Sequence, residues 1–185
     1  MKKPIILCDC AGMSNDRWLE CRAHGPKGNI PYTVGGSDVA TIFGLSPWMT
    51  PLELWMIKKG RMKAPAKTNL DQLKMGHLLE PIAAYWYQEK TGNTVFDDTN
   101  LYQHADHPYA LANMDRRYIR KADGKPGILE CKSCTYHKAG DWADDSYPIY
   151  YEMQLRFYMS FEETEHGAFS CIWGNNPDHD LAIPE

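Results

Sequence analysis

Two β-prone runs joined by a tight turn constrain this chain more than any other feature. Residues 109–119 alternate loosely and read as a strand. Ala122–Gly127 (ADGKPG) reads as a turn, and Gly127–Lys132 as a second strand. On a strand, residues i and i+2 share a face, so Glu130 and Lys132 point one way and Cys131 the other. A hairpin closed at Asp123-Gly124 brings Asp115 beside them. Two carboxylates and one ammonium are then expected on one sheet face.

The elements around the hairpin are mostly helical. Residues 14–23 read as a helix capped by Ser14, with Trp18 and Leu19 inward. His24–Tyr32 is rich in Gly and Pro and reads as a loop. Gly35-Gly36-Ser37-Asp38 opens a second helix, with Ser37 as N-cap and Val39, Ile42 and Phe43 as its apolar face. Thr50-Pro51 opens a third, stopped by Gly60 and trailing a basic run of Lys58, Lys59, Arg61, Lys63 and Lys67. That run suits a solvated surface and a DNA contact equally. Residues 69–91 carry the longest helical pattern, ended by Gly92, with Pro81 expected to kink it or begin a fresh segment. Short β-prone pieces follow at Thr94–Phe96 and Leu101–Tyr102. Beyond the hairpin come a short helix at Tyr136–Ala143, a longer one from Pro148 to Phe161, and a strand at His166–Trp173. Gly174–Asp180 reads as a loop and Leu181–Glu185 as the start of another strand. This order predicts an α/β (α+β) layer fold with one small mixed sheet.

The length of 185 residues suits a single domain spanning 1–185. With 43% hydrophobic residues, the chain has material for a core and is no disordered tail. No apolar run reaches the roughly 18 residues of a membrane span, and Ile5-Ile6-Leu7 is too short for a signal-peptide core, so a cytoplasmic location is expected. Twenty basic against 24 acidic side chains give a net charge of −4. That argues against a simple nucleic-acid coat protein but leaves nucleic-acid enzymes open, because a carboxylate metal site adds negative charge. The six cysteines are unevenly spaced. They read as reduced packing thiols rather than a disulfide framework, a zinc site at Cys8, Cys10, Cys21 and His24, or a redox Cys131-x2-Cys134 motif.

Carboxylates crowded at one point repel unless a cation lies between them. Mg²⁺ suits such a place, since it takes one or two carboxylates and fills its other positions with water and phosphate. Taken alone, Glu-x-Lys favours an ordinary surface ion pair, and the hairpin with Asp115 brings the two readings level.

Further segments extend the pattern. Trp18-Leu19-Glu20-Cys21-Arg22 resembles a W-x-x-x-R helix, and Gly35-Gly36-Ser37-Asp38-Val39-Ala40 a G-G-S-D/E segment. Ser46-Pro47-Trp48 with Thr50-Pro51-Leu52-Glu53-Leu54-Trp55 resembles S-x-[YW]-x-T-P-x-x-L-W. Gly76-His77-Leu78-Leu79-Glu80-Pro81 resembles G-x-x-x-E-P, Asn113-Met114-Asp115-Arg116 an aspartate motif, Leu129-Glu130-Cys131-Lys132-Ser133 an E-x-K motif, and Gln154-Leu155-Arg156-Phe157-Tyr158 Q-x-x-x-Y. In this order, over residues 16–173, the set resembles the YqaJ-like phage recombinase nucleases, relatives of lambda exonuclease in the PD-(D/E)-x-K superfamily.

The resemblance implies a restriction-endonuclease-like core, a small mixed central sheet flanked by helices. It implies a metal-dependent 5′-to-3′ exonuclease acting on linear double-stranded DNA and leaving 3′ single-stranded tails for phage-type recombination. An endonuclease of the same superfamily and a catalytically silent DNA-end-binding protein are the alternatives. Carried over by residue, Asp115, Glu130 and the Cys131 carbonyl would hold one Mg²⁺ (Mn²⁺ as substitute), and Glu80 would complete the site at a second ion. Lys132 would help activate the water, and Gln154 and Tyr158 would position the substrate strand or the lysine. Arg22 and Ser37 would bind phosphate. The implied partners are double-stranded DNA ends, a single-strand annealing protein and two further copies in a homotrimer, with no membrane. Two departures stand out: the loop at 24–32 lengthens the Arg22–Ser37 gap, and the chain ends soon after the third strand. It is therefore either a compact member or one lacking C-terminal helices.

Overall fold

The structure is a computed structural model and describes residues 3–66, 70–142, 146–162 and 164–173. Its elements in chain order are β1 (Ile5–Asp9), α1 (Asn15–His24), α2 (Gly36–Ile42), α3 (Pro51–Lys58), α4 (Leu70–Thr91), β2 (Thr94–Asp97), β3 (Asn100–Gln103), β4 (Leu111–Ala112), β5 (Arg116–Ile119), β6 (Pro126–Cys134), a 3-10 turn (Tyr136–Trp142), α5 (Ile149–Glu162) and β7 (Gly167–Trp173). The chain is α/β, as expected, but its described residues form two sheets rather than one and gather into two compact units. Among them, no helix is long and apolar enough to cross a membrane.

The first unit comprises residues 1–65, 99–114 and 149–163. Its antiparallel sheet runs β1-β3-β4. Strand β1 carries no clear alternation and was not expected from the sequence. Around it Cys21, Leu101 and Leu111 form a small core with Leu7, Met13 and Ile30. Ser14 caps α1, its Oγ accepting from the Arg17 N–H at 3.3 Å. Cys21, not Leu19, is the residue α1 buries, and Leu19 stays exposed. In α2 the N-cap is Gly35, not Ser37: the Asp38 carboxylate accepts from the Gly35 N–H at 2.9 Å, and Ser37 lies two residues inside the helix. Its buried face is Gly36, Val39, Ala40 and Thr41, with Ile42 and Phe43 exposed. Thr50 and Glu53 close a reciprocal capping box on α3. Helix α5 buries Leu155, Tyr158 and Phe161 and packs against α2, with the Tyr158 ring against Gly36.

The second unit comprises residues 66–98, 115–148 and 164–185. Its sheet runs β2-β5-β6-β7, antiparallel except for the parallel pair β6/β7. The expected strand at 109–119 is interrupted. Residues 111–112 pair with β3 in the first unit's sheet and residues 116–119 with β6 in the second's, with Asn113–Asp115 between them. Loose alternation cannot reveal such a change of partner. Gly124, at φ 71°, closes the β5–β6 turn where a side chain would strain the backbone. Helix α4 runs on through Pro81 instead of restarting there. Its packed part lies beyond the proline, where Ala83, Ala84 and Tyr87 meet Tyr118, Leu129, Cys131, Ala168 and Ile172. This packing outweighs the one backbone hydrogen bond that Pro81 cannot make. Ser170 ties the helix down, its Oγ donating to the Ala83 carbonyl at 2.7 Å. Strand β7 is buried throughout, as a parallel strand covered on both faces should be. The readings of 174–180 and 181–185 lie outside the described residues.

Candidate active site

Register builds the site. Arg116 pairs with Leu129, so Asp115, one step earlier, stands opposite Glu130. The Asp115 Oδ2 accepts from the Cys131 N–H at 2.9 Å, and the Arg116 guanidinium donates to the Asp115 carbonyl at 2.6 Å. Both bonds fix the aspartate at the head of β5. Glu130 lies mid-strand in β6 with a neighbour on each side. Its partner on β7 is Phe169, whose ring is covered by Trp142 and Tyr147. Glu130 is consequently 0% exposed. Lys132, two residues on and on the same face, donates its ammonium to Glu130 Oε1 and lies 4.0 Å from Asp115 Oδ2. Cys131 turns its thiol into the core beneath α4, where burial pushes it well up.

Glu80 enters from α4 one residue before Pro81. His77 lies one turn back, its Nδ1 2.9 Å from Glu80 Oε1. Burial, and then the Asp115 charge, raises the Glu80 carboxyl above its ordinary value. The same two causes in the same order push Glu130 up to about 8. Three carboxylates thus influence one another around a single lysine, a local excess of negative charge that favours protons or a cation.

The carboxylates supply hard oxygen donors, and the Cys131 thiol between Glu130 and Lys132 is turned away into the core. Among the described residues no group of three or more His, Cys, Asp or Glu side chains is placed to hold a metal ion. Asp115 and Glu130 by themselves are the kind of carboxylate pair that Mg²⁺ takes, with water and phosphate filling its other positions. At Cys8 and Cys10 burial raises both thiols, Cys10 to about 12.

The four remaining candidates belong to the first unit. Arg22 stacks over Trp18, its Cζ 4.5 Å from the ring centroid. Its Nη2 lies 3.5 Å from where a Cβ on Gly35 would be, so it stands at the start of α2 despite the long loop. Ser37 is exposed in the first turn of the same helix. Gln154 Nε2 donates to the Tyr158 hydroxyl at 3.2 Å, and Tyr158 is buried against Gly36. Asp115, Glu130, Lys132 and Glu80 therefore form one group, and Arg22, Ser37, Gln154 and Tyr158 lie in the other unit. His77 had no role in the sequence reading. The signal was its i, i+3 spacing to Glu80.

Two crystal structures show the class of this fold. The alkaline exonuclease LHK-Exo of Laribacter hongkongensis matches with a TM-score of 0.65 at 18% identity, over 89% of this chain and 77% of that one. LHK-Exo in complex with dAMP matches with a TM-score of 0.64 over the same shares. The chain thus shares the fold of this alkaline exonuclease. The sequence model of the YqaJ-like viral recombinase domain matches residues 17–165, and the chain belongs to that family. The uncharacterized protein YqaJ of Bacillus subtilis (strain 168) is 30% identical over 177 residues, which are 95% of this chain. They are 51% of that protein, so the chain spans about half the length of this curated relative.

Proposed function

We propose that this chain is a Mg²⁺-dependent nuclease degrading linear double-stranded DNA from the 5′ end and leaving 3′ single-stranded tails. The convergence of Asp115, Glu130 and Lys132 on one face of β6 carries this reading. Family membership and the exonuclease fold support it.

Asp115, Glu130 and the Cys131 carbonyl would hold Mg²⁺ (or Mn²⁺), with Glu80 serving a second ion. Bound there, Mg²⁺ supplies a Lewis acid that polarises a phosphodiester and makes water a better nucleophile. Lys132 orients the attacking water and offsets charge growing on the phosphoryl oxygens. The Cys131 N–H holds Asp115, and His77 holds Glu80, so the carboxylates are pre-positioned rather than gathered at each turnover. Arg22 and Ser37 at the start of α2 are assigned to a phosphate of the DNA end, and Gln154 and Tyr158 to the substrate strand. A homotrimer enclosing the DNA and a single-strand annealing protein as recipient of the tail complete the proposal.

The test is digestion of linear duplex labelled at either end, beside a closed circle, in Mg²⁺ or Mn²⁺. Loss of the linear form alone, from 5′-phosphate ends, is expected. Lys132→Ala is expected to slow it by about 10²–10³, as for loss of one charge-stabilising donor. An equally degraded circle would make the chain an endonuclease. No cleavage with either metal would leave a DNA-end-binding protein.

A further inference from the structure

The C-x2-C spacing of Cys131 and Cys134 does not make them partners. Three residues apart on β6, they point to opposite faces: Cys131 enters the core under α4, and Cys134 shares the face of Glu130 and Lys132. Strand β7 lies parallel alongside, with Lys132 opposite Cys171 and Cys134 opposite Trp173. Cys171 therefore faces the same way, and its Sγ lies 3.7 Å from that of Cys134. Cys171 is fully buried and Cys134 half-buried. An accessible sulfur thus stands in front of a hidden one, the arrangement of an attacking and a resolving thiol.

We propose that Cys134 and Cys171 form an oxidisable dithiol, closed to a disulfide by hydrogen peroxide, which displaces the part of β6 that carries Lys132.

The surroundings assist the first step. The Cys171 thiol donates to Cys134 and holds it below its usual range, with Lys138 adding to the effect while burial and Asp141 oppose it. The same contact, and burial, push Cys171 well up. The Cys134 thiol gives its proton to solvent, and the thiolate attacks one oxygen of hydrogen peroxide. The O–O bond breaks, a sulfenic acid forms on Cys134, and the other oxygen leaves as hydroxide that takes up a solvent proton to become water. The Cys171 sulfur then attacks the Cys134 sulfur. The S–O bond breaks, the hydroxyl leaves with the Cys171 proton as a second water, and the S–S bond forms. Two thiols lose two electrons and two protons, and one peroxide becomes two waters.

Closure brings the sulfurs from 3.7 Å to about 2.05 Å. The two residues are not register partners but lie diagonally across the strand pair. Bonding them draws the end of β6 along β7. Lys132 is two residues away on the same face, with its ammonium seated on Glu130. The dithiol stands on geometry alone, and its effect on cleavage rests on the nuclease reading above.

The full chain, treated with hydrogen peroxide, is alkylated, digested and mapped by mass spectrometry. A peptide joining Cys134 to Cys171, lighter by two hydrogens, is expected and should vanish on reduction. Cys134→Ser should cut DNA normally, form no link and resist peroxide. A displacement on the order of 1 Å at a catalytic group costs about 10²-fold, so oxidised wild type should cut linear DNA about a hundredfold more slowly and recover with dithiothreitol. Peroxide that leaves Cys134 and Cys171 unlinked, or links only Cys8, Cys10 or Cys21, overturns the dithiol. A complete link with unchanged cleavage overturns its coupling to Lys132. A reduced chain that cuts no DNA overturns the nuclease reading alone, since the peptide map still decides the dithiol.

Discussion

Gly36→Ala tests why a glycine occupies the first turn of α2. An ideal Cβ there would lie 2.6 Å from Tyr158 Cε1, 2.7 Å from Cζ and 2.8 Å from the hydroxyl oxygen. Carbon atoms prefer about 3.5–4.0 Å, so the methyl group overlaps one edge of the ring. Tyr158 cannot swing aside freely, because it is buried and its hydroxyl accepts from Gln154. Alanine in a helix gains about 1 kcal/mol over glycine, while overpacking a filled site costs about 1–3 kcal/mol. With three atoms overlapped, the upper end applies, and the net loss is about 2 kcal/mol. For a chain of this length that lowers Tm by roughly 4–8 °C. Thermal unfolding of four proteins decides it: wild type, Gly36→Ala, Tyr158→Leu and the double variant. In the Tyr158→Leu background the methyl group meets no ring, so Gly36→Ala should become neutral or stabilising. The coupling should be about 2–3 kcal/mol. Equal cost in both backgrounds refutes the packing argument, and the glycine would then serve the backbone or a ligand instead.

Two further outcomes follow from the site and its scaffold. Glu130 is pushed up to about 8 from an ordinary 4.5, first by burial and then by Asp115. Between those values the folded chain holds more protons than the unfolded one, so with chelator present stability should fall as pH rises from about 4.5 to about 8. Saturating Mg²⁺ or Glu130→Gln should flatten that slope in urea titrations. A wild-type slope no steeper than that of Glu130→Gln counts against the buried carboxyl as its source. On α3, Thr50→Ala should cost about 1 kcal/mol by removing the N-cap. Its DNA cleavage rate should match wild type, and a loss of rate would place α3 in the nuclease machinery.

What was legible in the sequence divides by range. The capped helices at Ser14 and Thr50, the Gly92 stop and the Glu130/Lys132 face depend on neighbours within a few residues, and they stand where the residues place them. The hairpin register depends on one turn and is equally local, so Asp115 does meet Glu130. The two sheets were not legible, because the change of strand partner between Ala112 and Arg116 is decided by distant chain. The N-cap of α2 was misread because Asp38 reaches back to cap Gly35, and a serine in the first turn looks like a cap from sequence alone. Helical spacing in α4 does not say which part of the helix packs. Leu70, Leu73 and Leu78 keep helical spacing but lie before Pro81, while the residues the sheet buries, Ala83, Ala84 and Tyr87, follow it.

The lysine on Glu130 ties the buried site to its proposed chemistry. A carboxylate with no exposed surface is stable only when protonated, paired or bound to a cation. In this structure Lys132 is the paired partner, and Asp115 and Glu80 keep the surroundings negative. Asp115 and Glu130 would hold a divalent ion whose charge offsets theirs, and the Lys132 ammonium would then be available to donate to water or phosphate. The Lys132–Glu130 ion pair thus involves the same side chain that is assigned to the reaction. Lys132→Ala should lower stability without Mg²⁺, by up to about 3–5 kcal/mol, because it removes the ammonium that donates to buried Glu130. With Mg²⁺ most of that stability should return while cleavage stays slow. A variant whose Tm and rate recover together would make Lys132 a structural counter-ion with no part in the reaction.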